Sequence, residues 1–432
     1  MVIERTGGRK ILAWTRKNYS VILFCILSLS LLTKVIRLNI PKDFYFDEAY
    51  YGFTASSILH HDKGAYDPFA RPPERRAYAW THPPLAELII SFFMKIFGDR
   101  SFGWRVGSVF FGTIDLALTS ILAMELFGSE LVAVLAAFLL CVDGLMFTES
   151  RIAMIEVYLI FFMLLTFIYY VRFRKEPTRK SLLLLTGFFL GLSFATKWTA
   201  FFILGTIALD LLLISIRRKE LPQGQPVYLY PIALVLLPAA IYLLSYFHYF
   251  WMGFHWSQFV ELQRQMWYYH SHLKATHAYQ SVPWQWILDL RPVWYYVNYS
   301  NSGNIANIYA LGNPLVFWGG LLTMAYLIFE KGWAWQRWFL ILCYCMLWVP
   351  LEFSPRIMLF YSYTAAVPFL CIALGLALQK LITEDTHAKD ALVCVFLSLS
   401  VVWFIVFYPH LTALPVPKDF AESVYYLLPS WR

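Results

Sequence analysis

The sequence predicts an all-α polytopic membrane protein with about eleven transmembrane helices. Three observations carry that prediction. Hydrophobic residues make up 59% of the chain and charged residues 14%, against about 25% charged in a soluble globular domain. Apolar runs recur from one end of the 432 residues to the other, and roughly 20 mostly apolar residues suffice to cross a bilayer. The basic residues lie in short clusters between these runs, the pattern that orients helices in a membrane.

The expected spans lie near 19–38, 103–127, 130–147, 153–171, 181–197, 199–216, 228–248, 314–330, 337–352, 357–379 and 389–408. Charge sets their direction. Arg5, Arg9, Lys10, Arg16 and Lys17 place the N-terminus in the cytoplasm. Segments 172–180 (Arg172, Arg174, Lys175, Arg179, Lys180), 217–219 (Arg217, Arg218, Lys219) and 331–337 (Lys331, Arg337) belong on the same side. A further apolar run, 83–98, decides the parity. If it crosses, 172–180 falls outside; if it lies along the interface, every basic segment falls inside. Its length of about 16 residues suits an interfacial helix. The C-terminus is then outside. Segments 39–102, 148–152, the turn near Lys197, 249–313, 353–356 and the C-terminal tail face outward.

Composition also excludes. The net charge of +8 does not indicate nucleic acid, because the basic residues sit at helix ends and form no continuous face. Cys25, Cys141, Cys343, Cys345, Cys371 and Cys394 all lie within apolar runs, with no zinc spacing and no readable disulfide framework. The first run has no small-residue cleavage site after it and reads as a retained helix.

The unusual polar residues gather in the outward segments. Pro41-Lys42-Asp43-Phe44-Tyr45-Phe46-Asp47-Glu48 sets two adjacent carboxylates among aromatics just beyond a membrane helix. Such a pair is costly to desolvate. It suits a general base or metal ligand, or else a capped helix start. Thr81-His82-Pro83-Pro84 fixes the entry into the 83–98 helix; His82 either contacts a phosphate or caps the turn. Arg105 and Arg356 stand at the outer ends of apolar helices, where each either snorkels or pairs with an anion through its forked guanidinium. Asp143, Glu149, Arg151 and Glu156 crowd one apolar stretch, and Lys197 splits two apolar runs on the same face. These charges either pair internally or line a polar cavity. Cations suit a phosphate leaving group and a carboxylate suits deprotonating a hydroxyl, a combination that describes glycosyl transfer from a lipid-phosphate sugar.

The ordered set of these residues resembles the protein O-mannosyltransferase family, glycosyltransferase family 39 with the GT-C fold. Phe46-Asp47-Glu48 looks like the family's FDE motif, His82-Pro83-Pro84-Leu85 its HPPL, and Trp104-Arg105 its aromatic-arginine pair. Asp143 through Glu156 resembles its acidic SRxxxxD stretch and Lys197-Trp198 its KW motif. Gln263 through His270, Leu273 through His277, Trp284 to Trp286, Arg291 through Tyr296 and Gly312-Asn313-Pro314 look specifically like bacterial members. Departures are Glu156 in place of the usual aspartate and Glu87 where many members have lysine. The segment 249–313 is too short for the β-trefoil domain of eukaryotic members, which leaves acceptor recognition more open than the chemistry.

The resemblance implies a GT-C catalytic module over 1–248 including the loop 39–102, an extracytoplasmic aromatic-rich loop 249–313, and a C-terminal transmembrane module with outer tail over 314–432. It implies inverting transfer of a sugar, expected to be mannose, from a polyprenyl-phosphate carrier to Ser/Thr hydroxyls of exported proteins at a prokaryotic plasma membrane. Asp47 is the expected general base, with Glu48 tuning it or positioning the acceptor. Arg105, Arg356, Lys197, Arg151 and His82 are expected at the donor phosphate. Asp143, Glu149, Glu156 and Tyr361 are expected to support them. Trp267, His270, His277 and Trp294 in the outer loop are expected to cap the site and help choose the acceptor. The scheme requires no cofactor. A divalent metal on Asp47 and Glu48 is the less favoured alternative, and dimerisation is left open. Two rival functions stand beside it. One is a GT-C transferase acting on a lipid or glycan. The other is a transporter, disfavoured because no internal repeat is visible and the charges gather on one face, not at mid-bilayer.

Overall fold

The computed structural model describes residues 7–218, 225–299, 303–384 and 386–432. Arg5, Lys219 and the side chain of Arg218 lie outside the described residues. The chain opens with α1 (Gly7–Val35). The loop after α1 holds two short helices, α2 (Tyr51–Leu59) and α3 (Leu85–Phe97). There follow α4 (Ser101–Phe127), α5 (Glu130–Cys141), α6 (Gly144–Glu149), α7 (Glu156–Lys175), α8 (Lys180–Thr196), α9 (Ala200–Arg218) and α10 (Leu229–Ser245). After α11 (Trp256–His272) come α12 (Pro314–Phe329), α13 (Trp335–Met346), α14 (Val367–Thr383), α15 (His387–Thr412) and α16 (Lys418–Val424).

A helix occupies at least part of each expected span; α13 ends at Met346, short of 352, α14 starts at Val367, well inside 357–379, and two further adjustments appear. α1 begins at Gly7, so Arg9, Lys10, Arg16 and Lys17 ride on the helix. The third span breaks after Cys141 and restarts as α6. Among the described residues, six helices are long and apolar enough to cross a membrane, and α5, α8, α10 and α12 are shorter apolar helices. α3 has 13 residues, about 20 Å of helix against a hydrocarbon core of about 30 Å. It buries Ala86, Ile90 and Met94 and exposes Phe92, Ile96 and Phe97, as an interfacial helix should.

Apolar side chains do two jobs here. Phe167 of α7, buried, meets Phe339 of α13 and Phe369 of α14 edge-on, both at 5.8 Å. Small residues bring backbones together: a Cβ on Gly187 of α8 would lie 1.8 Å from the Ala233 carbonyl oxygen of α10. Phe24 and Leu32 of α1, Ile216 of α9, Leu322 of α12 and Ile405 of α15 instead point outward and exposed, the surface an acyl chain covers.

One element departs from the all-helical expectation. Within 249–313, β1 (Val293–Tyr299) pairs antiparallel with β2 (Asn304–Ala310), and β3 (Val416–Pro417) adds to the far edge of β2. The β-branched and aromatic residues of Val293-Trp294-Tyr295-Tyr296-Val297 favour a strand. The hairpin lies over α6 and the end of α15.

The helices also separate charge. α7 starts at Glu156 and ends with Arg172, Arg174 and Lys175; its 20 residues span about 30 Å. α8 returns from Lys180 to Thr196, next to Lys197. The basic clusters and the residues described next therefore lie at opposite ends of the same helices.

Candidate active site

The loop between α1 and α4 is fastened by a buried ion pair. Glu48 and Arg105 are 0% and 1% exposed. Arg105 Nε donates to Glu48 Oε1 at 2.7 Å and Nη2 to Oε2 at 2.8 Å, a bidentate fork. Glu48 also accepts from Trp104 Nε1 at 3.3 Å, from the Tyr45 N–H at 3.3 Å and from the Ala153 N–H at 3.1 Å. Arg105 donates onward to the carbonyls of Leu38, Pro41 and Asp43. The phosphate role expected for Arg105 does not fit these surroundings, because its donors are committed within the fold. Glu48 likewise has no oxygen left for a metal shared with Asp47. The pair holds residues 38–48 in place.

Two further expectations are corrected in the same way. Arg151 Nη1 donates to the carbonyls of Thr33, Lys34 and Ile36. It satisfies the free carbonyls at the end of α1, so it does not reach a donor phosphate. Asp143 holds no cation: it caps α6 by accepting from the Met146 N–H at 2.8 Å, and accepts the Asn313 N–H at 3.0 Å. Asn313 in turn donates to the carbonyls of Val142 and Ser400, tying the starts of α6 and α12 to α15.

With the loop fixed, Asp47 faces a cavity of about 790 Å³. Phe46, one residue before it, has φ +47°, a left-handed conformation that L side chains seldom adopt. Its ring is held there, stacked on Tyr295 of β1 at 4.1 Å. Asp47 Oδ2 accepts from the Tyr361 hydroxyl at 3.2 Å. The cavity wall also carries His82, Glu156, Lys197, His270, His277 and Arg356. Lys197 Nζ meets Glu156 Oε1 at 2.8 Å, joining the end of α8 to the start of α7. Arg356 Nη1 donates to His270 Nδ1, and its guanidinium lies 5.4 Å from the Tyr269 ring centroid. His270 Nε2 therefore carries the ring proton and donates it to the Thr81 carbonyl at 2.8 Å. The cavity lining also includes the apolar side chains of Phe201, Phe202, Ile203, Leu347 and Leu351.

Burial sets the protonation states. It pushes Asp47 up to about 7; the charge of Glu156 adds to the rise, while Tyr361, Lys197 and Arg356 oppose it. A carboxylate balanced near neutrality can both take and release a proton. Burial lowers His270 to about 4 against the pull of the Thr81 carbonyl. It also lowers His82, with His270, Lys197 and Arg356 acting the same way. Both imidazoles are neutral at pH 7, so the fixed positive charge on this wall belongs to Lys197 and Arg356.

Residues 24–255 match the family described as dolichyl-phosphate-mannose-protein mannosyltransferase. That match covers more than half of the chain. The chain belongs to the dolichyl-phosphate-mannose-protein mannosyltransferase family. Residues 255–431 match the C-terminal four-transmembrane region of protein O-mannosyltransferases. The polyprenol-phosphate-mannose–protein mannosyltransferase of Mycobacterium tuberculosis is 26% identical, over 81% of each chain. Its namesake in Mycolicibacterium smegmatis is 25% identical over 94% of this chain and 92% of its own. In fold, the chain is similar to the S. cerevisiae protein O-mannosyltransferase Pmt1-Pmt2 complex bound to the sugar donor, with a TM-score of 0.79, 14% identity and coverage of 95% and 92%. The protein is a mannosyltransferase of GT-C fold embedded in a membrane.

Within this mannosyltransferase, the other expected residues divide. His270 and His277 reach the cavity, whereas Trp267 points outward from α11. Trp294 packs in the hairpin, stacked on Tyr309 at 5.5 Å with Nε1 donating to Asn307, so it does not cap the site. Glu149 holds no cation; it accepts from the Tyr295 hydroxyl at 2.5 Å. Tyr295 is the residue that sequence reasoning passed over: it supports Phe46 on one side and Glu149 on the other. Its only signal was its place in the aromatic run after Arg291. Among the described residues, no group of three or more His, Cys, Asp and Glu converges as a cation site.

Proposed function

We propose that this protein transfers mannose from a polyprenyl-phosphate carrier to Ser/Thr hydroxyls of exported proteins, at the outer rim of a prokaryotic plasma membrane. One observation carries the reading. A carboxylate balanced near pH 7, Asp47, shares a cavity with the cations Lys197 and Arg356, and the same cavity is lined by apolar side chains as well.

The chemistry follows from those positions. The acceptor hydroxyl loses its proton to an Asp47 carboxylate oxygen as its oxygen forms a bond to the sugar anomeric carbon. The bond from that carbon to the phosphate oxygen breaks on the opposite face, so the configuration inverts. The carrier leaves as a phosphate monoester, and its growing charge is met by Lys197 and Arg356, which are already in place. Glu156 holds Lys197 against the wall, and Tyr361 orients Asp47. The carrier's isoprenoid chain packs against Phe201, Phe202, Ile203, Leu347 and Leu351. The acceptor approaches past Tyr269, His270 and His277.

The outward placement rests on charge. Arg172, Arg174 and Lys175 sit about 24–28 Å along α7 from Glu156, and basic ends face the cytoplasm. The names of the mycobacterial relatives support mannose and a protein acceptor.

The test is transfer in detergent from radiolabelled polyprenyl-phosphate-mannose to a Ser/Thr-containing peptide of an exported protein. Label on the peptide, released by β-elimination, is expected. Label on lipid or glycan alone would replace the acceptor assignment, and label crossing proteoliposomes without any transfer would indicate a transporter.

A further inference from the structure

Glu87 lies in the first turn of α3 and is 1% exposed, and neither carboxyl oxygen has a hydrogen-bond partner among the described residues. Leaving a buried carboxyl unpartnered is costly, so the group calls for an explanation. His82, five residues earlier, shows the complementary feature. Its Nδ1 is enclosed and has no partner among the described residues, while its ring borders the reaction cavity. Both side chains line one small void of about 10 Å³, which Thr54, Tyr66, Trp80 and Tyr246 border together with apolar Ile58, Ala65, Ala79, Pro84 and Leu262. That volume is close to what one water molecule needs, and a buried water requires two to four polar partners.

We infer that Glu87 is a positioning residue for His82, acting through one buried water that accepts a hydrogen bond from the Glu87 carboxyl and donates one to His82 Nδ1. The consequence lies at the other ring nitrogen. With Nδ1 accepting, the proton of neutral imidazole resides on Nε2. His82 then presents an N–H donor to the reaction cavity beside Lys197 and Arg356, aimed at a phosphate oxygen of the bound donor. The protonation states agree. Burial pushes Glu87 up to about 8, so at pH 7 it holds the proton it must donate. Burial keeps His82 neutral. No proton is consumed in this arrangement; the water fixes a tautomer.

The inference rests on the transfer reaction proposed above, and its test separates the two. Glu87→Gln keeps a donor of the same size. Glu87→Met keeps the volume and removes the polar group, so both variants are expected to fold with melting temperatures near that of the parent. In the peptide transfer assay, Glu87→Gln should retain kcat within about threefold. Glu87→Met should lower kcat roughly tenfold with little change in KM for polyprenyl-phosphate-mannose, about the value of one hydrogen bond of 1.4 kcal/mol. In a His82→Phe background, Glu87→Met should cost nothing further. Full kcat in Glu87→Met, or a loss that simply multiplies with that of His82→Phe, would overturn the inference. A structural readout stands apart from activity. A high-resolution map should show a water about 3 Å from both His82 Nδ1 and a Glu87 oxygen. An empty void would overturn the inference even if transfer proceeds, and failure of the parent enzyme to label peptide would count against the reaction instead.

Discussion

Tyr361 and Asp47 are 314 residues apart in sequence and are joined by a 3.2 Å hydrogen bond, the phenol donating to Oδ2. Tyr361 stands just before α14, and Asp47 stands on the loop pinned by Arg105. The bond therefore joins the two halves of the chain at the cavity wall. A donor to the charged form favours that form, so Tyr361 works against the burial that pushes Asp47 up.

The pH dependence of transfer follows. A general base acts when deprotonated, so the rate should rise with pH through about 7. Tyr361→Phe removes the donor and should move this acid limb to higher pH by about one unit, equivalent to roughly 1.4 kcal/mol. A pH–kcat/KM profile of both proteins checks it. An unmoved limb would detach Tyr361 from the base.

Glu156 and Lys197 should act on the same limb with opposite sign. Glu156 raises Asp47 and Lys197 lowers it. Glu156→Gln should shift the limb to lower pH, and Lys197→Ala to higher pH. Lys197→Ala should also reduce kcat, because a cation at the leaving phosphate is lost. Shifts in the same direction would contradict the charge assignment.

Arg356 should not tolerate lysine. Its guanidinium reaches His270 and the cavity together, and an ammonium is a single point charge. Arg356→Ala should lower kcat by about 10²-fold, as expected for losing one charge-stabilising donor. Arg356→Lys should recover only part of that. Steady-state transfer kinetics measure both.

Glu48 and Arg105 should report on stability first. Removing one partner of a buried pair leaves an uncompensated charge, typically at about 3–5 kcal/mol. Glu48→Ala and Arg105→Ala should each lower the melting temperature markedly in detergent. The apolar double replacement Glu48→Leu/Arg105→Met should be milder than either. Additive losses would show that the two side chains do not act as a pair.

The helical fold was legible because each apolar run announces itself by length and apolarity, while the basic clusters supply only the expected direction. Asp47, His82, Glu156, Lys197, Arg356 and Tyr361 could be grouped because topology alone sends their segments to one face. What sequence could not show is where a side chain turns. Arg105 and Arg356 both stand at outer helix ends, yet Arg105 turns inward onto Glu48 and three carbonyls while Arg356 lines the cavity. Arg151 is drawn to the free carbonyls of α1, far away in the chain, and Asp143 to the N–H groups of its neighbour Met146 and of distant Asn313. The hairpin was missed because its aromatic residues read equally as an interfacial loop. With it went the role of Tyr295, which needs β1 placed against Phe46 to become visible.

The most direct test of the central claim is single-turnover mannose transfer by Asp47→Asn with saturating polyprenyl-phosphate-mannose. Asparagine keeps the shape and the Tyr361 contact but cannot take a proton at pH 7. The account predicts intact donor binding and a chemical step slowed by about 10²–10⁴-fold. Transfer within tenfold of the parent rate would contradict it.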